Sequence, residues 1–289
     1  DIRSLVDDLL DDLDRTLLPN GRHPESPLAR ARFRQLVERP EVRLVYVTGR
    51  DRARVEAAME AYALPWPDYV IADVGTSLHE SCSGHWKRLE GWQHSIARDW
   101  NGYSRELLAA LIGDVPGLRP QESARQGVCK LSYYAPPLLD PGALLARVWQ
   151  PLLAAGVRAS LVWSVDETTS MGLLDVLPAS AGKLPALEHL RRKLGIARTR
   201  SVFAGDSGND MAVLVSGLPS VLVANAAAPV RAEAVARGDT ASLYLARGGL
   251  FGMNGNYSAG ILEGVVHFIP ATRAWMALPR DCVLPAACH

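Results

Sequence analysis

The sequence has 289 residues and equal numbers of basic and acidic side chains, 31 of each, so its formal net charge is zero. This balance argues against a nucleic-acid partner and against binding to an anionic membrane surface, and we expect a small-molecule partner and a monomer. Four scattered cysteines argue against a zinc site and a disulfide framework, and no apolar run is long enough to span a bilayer, so we expect a cytoplasmic protein.

The opening stretch, residues 2–13, supports two interpretations that exclude each other. Its apolar residues recur at the spacing of an amphipathic helix, whereas Asp12 to Thr16 is typical of a catalytic loop after a strand. We favour a short strand that starts near Leu9, because the loop motif agrees with three distant segments. Asp7 and Asp8 are then expected near the solvent-facing start of the strand. Asp11 is expected to need a partner, because an unpaired buried carboxylate is unstable.

Strand and helix signals alternate after this stretch, in the pattern of a parallel sheet covered by helices. Asp51 is expected to cap the first helix of this series, whose apolar face carries Val55, Ala58, Met59 and Tyr62. The predicted strands of this core are 44–47, 69–72, 174–177, 201–204 and 221–224, and further helices are predicted at 183–194 and 259–268.

Tryptophan and tyrosine become frequent from about residue 80, in the middle of the alternating pattern. This change indicates an inserted α+β unit with strands at 129–134 and 157–163 and helices at 104–112 and 141–153. We therefore predict an α/β fold with a Rossmann-like parallel-sheet core and this insertion. The predicted division is a discontinuous core domain of residues 1–79 and 170–269, an inserted domain of residues 80–169, and a tail of residues 270–289 without an assigned structure.

Four short segments carry candidate chemistry: Asp12 to Thr16, Thr48 to Arg50, Lys183, and Gly205 to Asp210. Taken singly, each has the composition of an ordinary turn or an exposed helix start. The first, second and fourth, however, each follow an apolar run. Because the carboxyl ends of parallel strands meet at one edge of an open sheet, we expect them to form a single site.

In this order the four segments resemble the haloacid dehalogenase (HAD) superfamily of phosphatases, in the branch with a cap inserted between the second and third motifs. The chain also resembles the sucrose-phosphate phosphatase family and its relative, mannosylfructose-phosphate phosphatase, up to about Ile269. The segments that carry this closer similarity are Pro120-Gln121, Lys130 to Tyr133, Asp175 to Pro178, Asn225-Ala226, Ala259 to Glu263 and His267-Phe268. The resemblance identifies the insertion as the cap domain.

The resemblance implies phosphoryl transfer by Asp12, Asp14, Thr48 and Lys183. Asp12 would attack phosphorus to form an aspartyl-phosphate, and Asp14 would protonate the departing sugar oxygen and later deprotonate water. Thr48 and Lys183 would bind the transferring oxygens. A second acid two residues after the nucleophile favours an alkoxide leaving group, because a dehalogenase or ion-pump relative would lack that acid.

The cofactor implied by the resemblance is Mg²⁺. A carboxylate about 4 Å from a phosphate dianion is opposed by about 8 kcal/mol at an effective dielectric constant of 20, so an aspartate nucleophile needs a divalent cation beside it. The resemblance assigns the metal to Asp12, to the backbone carbonyl of Asp14 and to Asp206, with support from Asp210.

The implied substrate is a phosphorylated disaccharide, sucrose 6-phosphate, and a cognate sugar-phosphate synthase is an expected partner. Mannosylfructose phosphate, glucosylglycerate phosphate or another sugar phosphate are alternative substrates. A weakly catalytic sugar-phosphate-binding partner of a glycosyltransferase is an alternative from another functional class. The candidate substrate-binding residues are Thr16, Gly49, Arg50, Gln126, Lys130, Ser132 and Asn209.

Overall fold

The structure is a computed structural model that describes residues 8–82, 84–137, 140–166 and 169–277. The strands are β1 (Asp8–Asp11), β2 (Arg43–Val47), β3 (Tyr69–Ala72), β4 (Ser77–Cys82), β5 (His85–Arg88), β6 (Arg119–Pro120), β7 (Leu131–Ala135), β8 (Ala159–Val165), β9 (Gly172–Pro178), β10 (Ser201–Gly205), β11 (Ser220–Leu222) and β12 (Leu243–Leu245). The α-helices are α1 (Ala29–Val37), α2 (Arg52–Tyr62), α3 (Glu90–Ala97), α4 (Arg105–Ile112), α5 (Pro141–Ala154), α6 (Lys183–Leu194), α7 (Met211–Leu214), α8 (Ala228–Arg237) and α9 (Ser258–Phe268). A 3₁₀ helix, Pro270–Met276, occupies the start of the predicted tail, whose residues 278–289 lie outside the described part.

These elements belong to two compact units. The first takes its described residues from Asp1–Val47, Glu56–Tyr69 and Arg191–His289, and the second from Thr48–Val55 and Val70–Leu190. The predicted cap domain, residues 80–169, falls inside the range Val70–Leu190 of the second unit. The predicted domain limits themselves stay a prediction.

A parallel sheet forms the centre of the first unit, where the strand order is β12-β11-β10-β1-β2. Asp11 of β1 pairs with Ala204 of β10 on one side and with Tyr46 of β2 on the other. Leu9 and Leu10 are both buried although successive strand side chains point to opposite faces, so both faces of β1 are covered. The predicted α/β fold with a parallel sheet is confirmed.

The strand interpretation of the opening stretch is also confirmed for Asp8–Asp11, and the helical interpretation is wrong for these residues. Periodicity misleads here because both faces of a central strand are apolar, so its leucines also satisfy a helical spacing. The expectations for Asp7 and for the side chains of Asp8 and Asp11 lie outside the described part of the chain.

Side-chain caps begin several of the predicted helices. Asp51 Oδ1 accepts the amide of Arg54 (2.9 Å) before α2, which confirms the predicted cap. Ser104 Oγ accepts the amide of Leu107 (3.3 Å) at the start of α4. Each bond satisfies a backbone amide that has no acceptor within its own helix.

Among the described residues, no helix combines the length and the hydropathy that crossing a membrane requires.

The second unit contains an antiparallel sheet with the order β6-β7-β9-β8. The prediction that places Leu174 to Leu177 in the parallel core is therefore wrong. These residues belong to β9, where Asp175 pairs with Ser132 of β7 and with Val162 of β8. A short apolar run fits a strand of either sheet, and its partners depend on contacts that the pattern does not encode.

His79 on β4 is expected to make the stability of the protein depend on pH. Burial, with a smaller effect of Arg88 and Arg52, lowers the pKa of its imidazole from 6.5 to about 4. The unfolded chain therefore takes up a proton first, and the free energy of unfolding should fall as the pH drops from about 6.5 to about 4, by on the order of 3 kcal/mol. We expect His79→Gln to remove most of this fall in urea titrations at pH 7 and pH 4.5. An equal fall in both proteins would contradict the assignment.

Candidate active site

Three buried carboxylates meet where β1 and β10 end. Asp12 follows β1 and its amide donates to the carbonyl of Ala204 (3.0 Å), while Asp206 directly follows β10. Asp12, Asp206 and Asp210 each offer a carboxylate oxygen, and these oxygens lie within 4.8 Å of one another. We call these residues the acidic cluster. The structure thus brings together the first and fourth of the predicted segments.

The loop after β10 holds Asp210 in place. Its Oδ2 accepts the amides of Asp206 and Ser207, both at 3.2 Å, and the hydroxyl of Ser207 at 3.1 Å. Gly205 allows this close turn, because a Cβ there would lie 2.7 Å from Cγ of Asp210. The four-residue spacing therefore lets the Asp210 carboxylate fold back and accept the backbone amide of Asp206.

The donors of the acidic cluster fit a hard divalent cation. Two carboxylates about 4 Å apart repel each other by about 4 kcal/mol at an effective dielectric constant of 20, so a buried group of three needs positive charge nearby. Carboxylate oxygens are the ligands that Mg²⁺ prefers. The cluster could therefore bind a metal ion through Asp12, Asp206 and Asp210.

Two asparagines fix the loop that follows Asp12. Asn20 Nδ2 donates to Asp14 Oδ1 (2.8 Å), and the amide of Arg15 donates to Asn20 Oδ1 (2.9 Å). Asn225 Nδ2 donates to the carbonyl of Arg15 (2.6 Å), and Asn225 Oδ1 accepts the amide of Tyr257 (2.8 Å). No role was predicted for Asn20, although the sequence Pro-Asn-Gly is typical of a tight turn.

In the second unit, Thr48 and Lys183 are both held by the turn that follows β3. The amide of Val74 donates to the carbonyl of Thr48 (3.1 Å). Gly75 packs against the start of α6, since a Cβ on it would lie 2.2 Å from the carbonyl oxygen of Gly182 and 2.8 Å from the amide nitrogen of Lys183. The side chains of Thr48 and Lys183 are buried. We call Asp73 to Thr76 the β3 turn.

The backbone of the β3 turn is strained. Asp73 has φ +52° and Val74 has φ +57°, a left-handed conformation that is rare for a β-branched residue and that concentrates at functional sites. Asp73 is not among the residues predicted for the site. Its signal, a carboxylate directly after a buried strand, is the same as the one that marks Asp12.

Lys130 lies against the β3 turn. Its Nζ is 3.4 Å from Asp73 Oδ1 and 3.5 Å from the carbonyl oxygen of Gly49, and its side chain is buried. Burial raises the pKa of the Asp73 carboxyl, and the Lys130 ammonium opposes this shift. The predicted substrate-binding residues Lys130 and Gly49 are therefore neighbours within the second unit.

Gln126 and Ser132 are engaged with groups of the second unit. The Gln126 amide nitrogen donates to the carbonyl of Ser132 (2.8 Å), and its oxygen accepts the Ser132 amide (2.8 Å). The Ser132 hydroxyl donates to Asp175, a carboxyl whose pKa is raised by burial. These bonds give Gln126 a role in shaping the backbone. Of the remaining predicted substrate-binding residues, Thr16 and Asn209 belong to the first unit and Arg50 to the second. Contact with the substrate stays a prediction for all seven residues.

Sequence similarity to known proteins extends over nearly the whole chain. The sequence model of the Sucrose-6F-phosphate phosphohydrolase family matches residues 7–269. A protein named as an HAD-like hydrolase from Nitrosococcus oceani is 49% identical over 276 residues, which are 94% of this chain and 74% of that protein. Mannosylfructose-phosphate phosphatase from Agrobacterium fabrum is 34% identical over 188 residues, which are 63% of this chain and 69% of that protein.

The fold is similar to that of the sucrose-phosphatase from Synechocystis, solved in complex with sucrose and phosphate. The TM-score is 0.73 at 24% identity, and the match covers 91% of this chain and 97% of that one. The chain spans about half the length of the plant sucrose-phosphatases that it matches, for example 50% of sucrose-phosphatase 1 from Nicotiana tabacum at 27% identity. From the family match over residues 7–269, this chain belongs to the sucrose-6F-phosphate phosphohydrolase family of HAD phosphatases and is a phosphoric monoester hydrolase.

Proposed function

We propose that the chain is a Mg²⁺-dependent phosphatase that hydrolyses sucrose 6-phosphate to sucrose through an aspartyl-phosphate intermediate. The observation that carries the chemistry is the acidic cluster at the ends of neighbouring parallel strands, with Asp14 two residues after Asp12. The description of the matching family supports the choice of sugar.

In this proposal Asp12 attacks phosphorus while the bond between phosphorus and the sugar oxygen breaks. Asp14 donates a proton to the departing oxygen and then accepts one from the water that attacks the aspartyl-phosphate. Inorganic phosphate leaves and both carboxyl groups return to their starting state. The hydrogen bond from Asn20 to Asp14 Oδ1 orients the acid for both proton transfers.

The carboxylates of the acidic cluster, with the carbonyl of Asp14, would hold Mg²⁺. When bound, the cation would offset the repulsion between the Asp12 carboxylate and the phosphate dianion. We assign the transferring oxygens to the Thr48 hydroxyl, as a hydrogen-bond donor, and to the Lys183 ammonium, as a point charge.

We assign sugar recognition to Lys130 and Ser132, supported by Gln126 and Arg50, and further contacts with the substrate to Thr16, Gly49 and Asn209. The proposed setting is the cytoplasm. There a sugar-phosphate synthase would supply the substrate to a monomeric phosphatase.

Mannosylfructose phosphate is the second candidate substrate. The observation in its favour is the identity of 34% to a mannosylfructose-phosphate phosphatase, against 27% to the tobacco sucrose-phosphatase. A change of sugar would leave the chemistry at Asp12 unchanged, so the two candidates differ only in recognition of the leaving group.

A panel of sugar phosphates tests the proposal. We expect release of inorganic phosphate from sucrose 6-phosphate with the highest kcat/KM, from mannosylfructose and glucosylglycerate phosphates with at least about tenfold lower values, and from none of them in EDTA. A higher kcat/KM for mannosylfructose phosphate would select the second candidate. Tight binding without release from any substrate would instead identify a sugar-phosphate-binding protein.

A further inference from the structure

Arg15 forms an ion pair with a member of the acidic cluster. Its Nε lies 3.2 Å from Asp206 Oδ2, and the hydroxyl of Thr16 donates to the other oxygen, Oδ1 (3.3 Å). The Asp206 side chain is 4% exposed and that of Arg15 is 28% exposed, so water screens the carboxylate poorly. A guanidinium stays protonated at any pH at which the protein is folded, so the positive charge beside Asp206 is permanent.

The backbone around Arg15 makes this contact a fixed feature of the loop. Arg15 has φ +59°, its amide donates to Asn20, and its carbonyl accepts from Asn225. Because both peptide groups are held by side chains, the direction in which the Arg15 side chain leaves the loop is set.

We propose that Arg15 sets the affinity of the acidic cluster for its divalent cation. The guanidinium and the cation compete for the same carboxylate of Asp206. Arg15 therefore weakens cation binding, although it also holds Asp206 in position. The inference rests on the proposed function, because it requires the cluster to bind a cation.

Calorimetric titration of Mg²⁺ into the full chain, without substrate, tests the role of Arg15. Arg15→Gln removes the charge and keeps a long unbranched side chain. We expect it to bind Mg²⁺ about tenfold more tightly than the wild type, which corresponds to about 1.4 kcal/mol. Arg15→Lys keeps the charge, and its affinity should stay within about twofold of the wild type. If Arg15→Gln does not fold, Arg15→Asn replaces it, since asparagine tolerates a positive φ.

Arg237→Gln is the matched control for loss of charge. Arg237 is exposed in the last turn of α8, where it pairs with Glu233, and the variant should bind Mg²⁺ as the wild type does. A thermal melt adds a second measurement. In EDTA, the melting temperature of Arg15→Gln should lie a few degrees below that of the wild type, because repulsion among the carboxylates is no longer offset. Saturating Mg²⁺ should reduce this difference in melting temperature.

The possible results separate this inference from the proposed function. Tighter Mg²⁺ binding by Arg15→Gln, with unchanged binding by Arg237→Gln, supports the role of Arg15. Equal or weaker binding by folded Arg15→Gln overturns that role and leaves the metal site standing. If neither the wild type nor Arg15→Gln takes up Mg²⁺, the metal site of the proposed function fails, and the inference fails with it.

Discussion

Replacing Asp12 with asparagine is expected to lower phosphate release by at least about a thousandfold while the protein stays folded. The amide has nearly the size of the carboxylate but cannot act as the nucleophile. The change also removes one of three mutually repelling charges in the acidic cluster, so the melting temperature in EDTA should not fall. Phosphate release at saturating sugar phosphate, together with a thermal melt, measures both effects.

Asp239→Asn provides the control for this loss. Asp239 is an exposed residue whose carboxylate accepts the amide of Ala241, and its replacement removes the same charge outside the acidic cluster. Its phosphate release should equal that of the wild type. Release by Asp12→Asn within about tenfold of the wild type would refute the nucleophile assignment.

Gly75→Ala is expected to destabilise the second unit by about 3 kcal/mol and to abolish most of the activity of the protein that remains folded. The added Cβ would lie 2.2 Å from the carbonyl oxygen of Gly182 and 2.8 Å from the amide nitrogen of Lys183, and φ at this position is +88°. Backbone cannot move aside as a flexible side chain can, so the start of α6 and the Lys183 ammonium must shift. Urea unfolding and kcat/KM for the sugar phosphate measure the two consequences.

Gly102→Ala separates the steric clash from the strain of a positive φ. Gly102 has φ +82°, close to that of Gly75, but a Cβ on it would meet no atom within 4 Å. We expect it to lose about 1 kcal/mol of stability and no activity. If both variants lost equal stability and kept full activity, the contact between Gly75 and α6 would have no part in placing Lys183.

The fold was predictable where a local sequence signal marks the end of an element. Helix α6 runs from Lys183 to Leu194 as predicted, because Gly195 follows it with φ +70°. Strand β9 was assigned to the wrong sheet, since Leu174 to Leu177 has the same composition as a core strand and only its pairing with β7 and β8 distinguishes it.

The acidic cluster was predictable because two of its side chains follow apolar strands directly. Asp12 and Asp206 meet because their strands are parallel neighbours, and this follows from the α/β pattern. The surroundings of Gln126 were not predictable in this way. Its amide is engaged by the backbone of Ser132, and such local bonding has no periodic signature.

The β3 turn joins parts of the chain that are far apart in sequence, through the contacts of Val74 with Thr48, of Gly75 with Lys183, and of Asp73 with Lys130. Its left-handed residues are each disfavoured by on the order of 1 to 3 kcal/mol, and only these long-range contacts offset that. During refolding, the turn should therefore reach its native geometry late, after distant segments have assembled. Recovery of enzyme activity should then lag behind the return of helical circular dichroism.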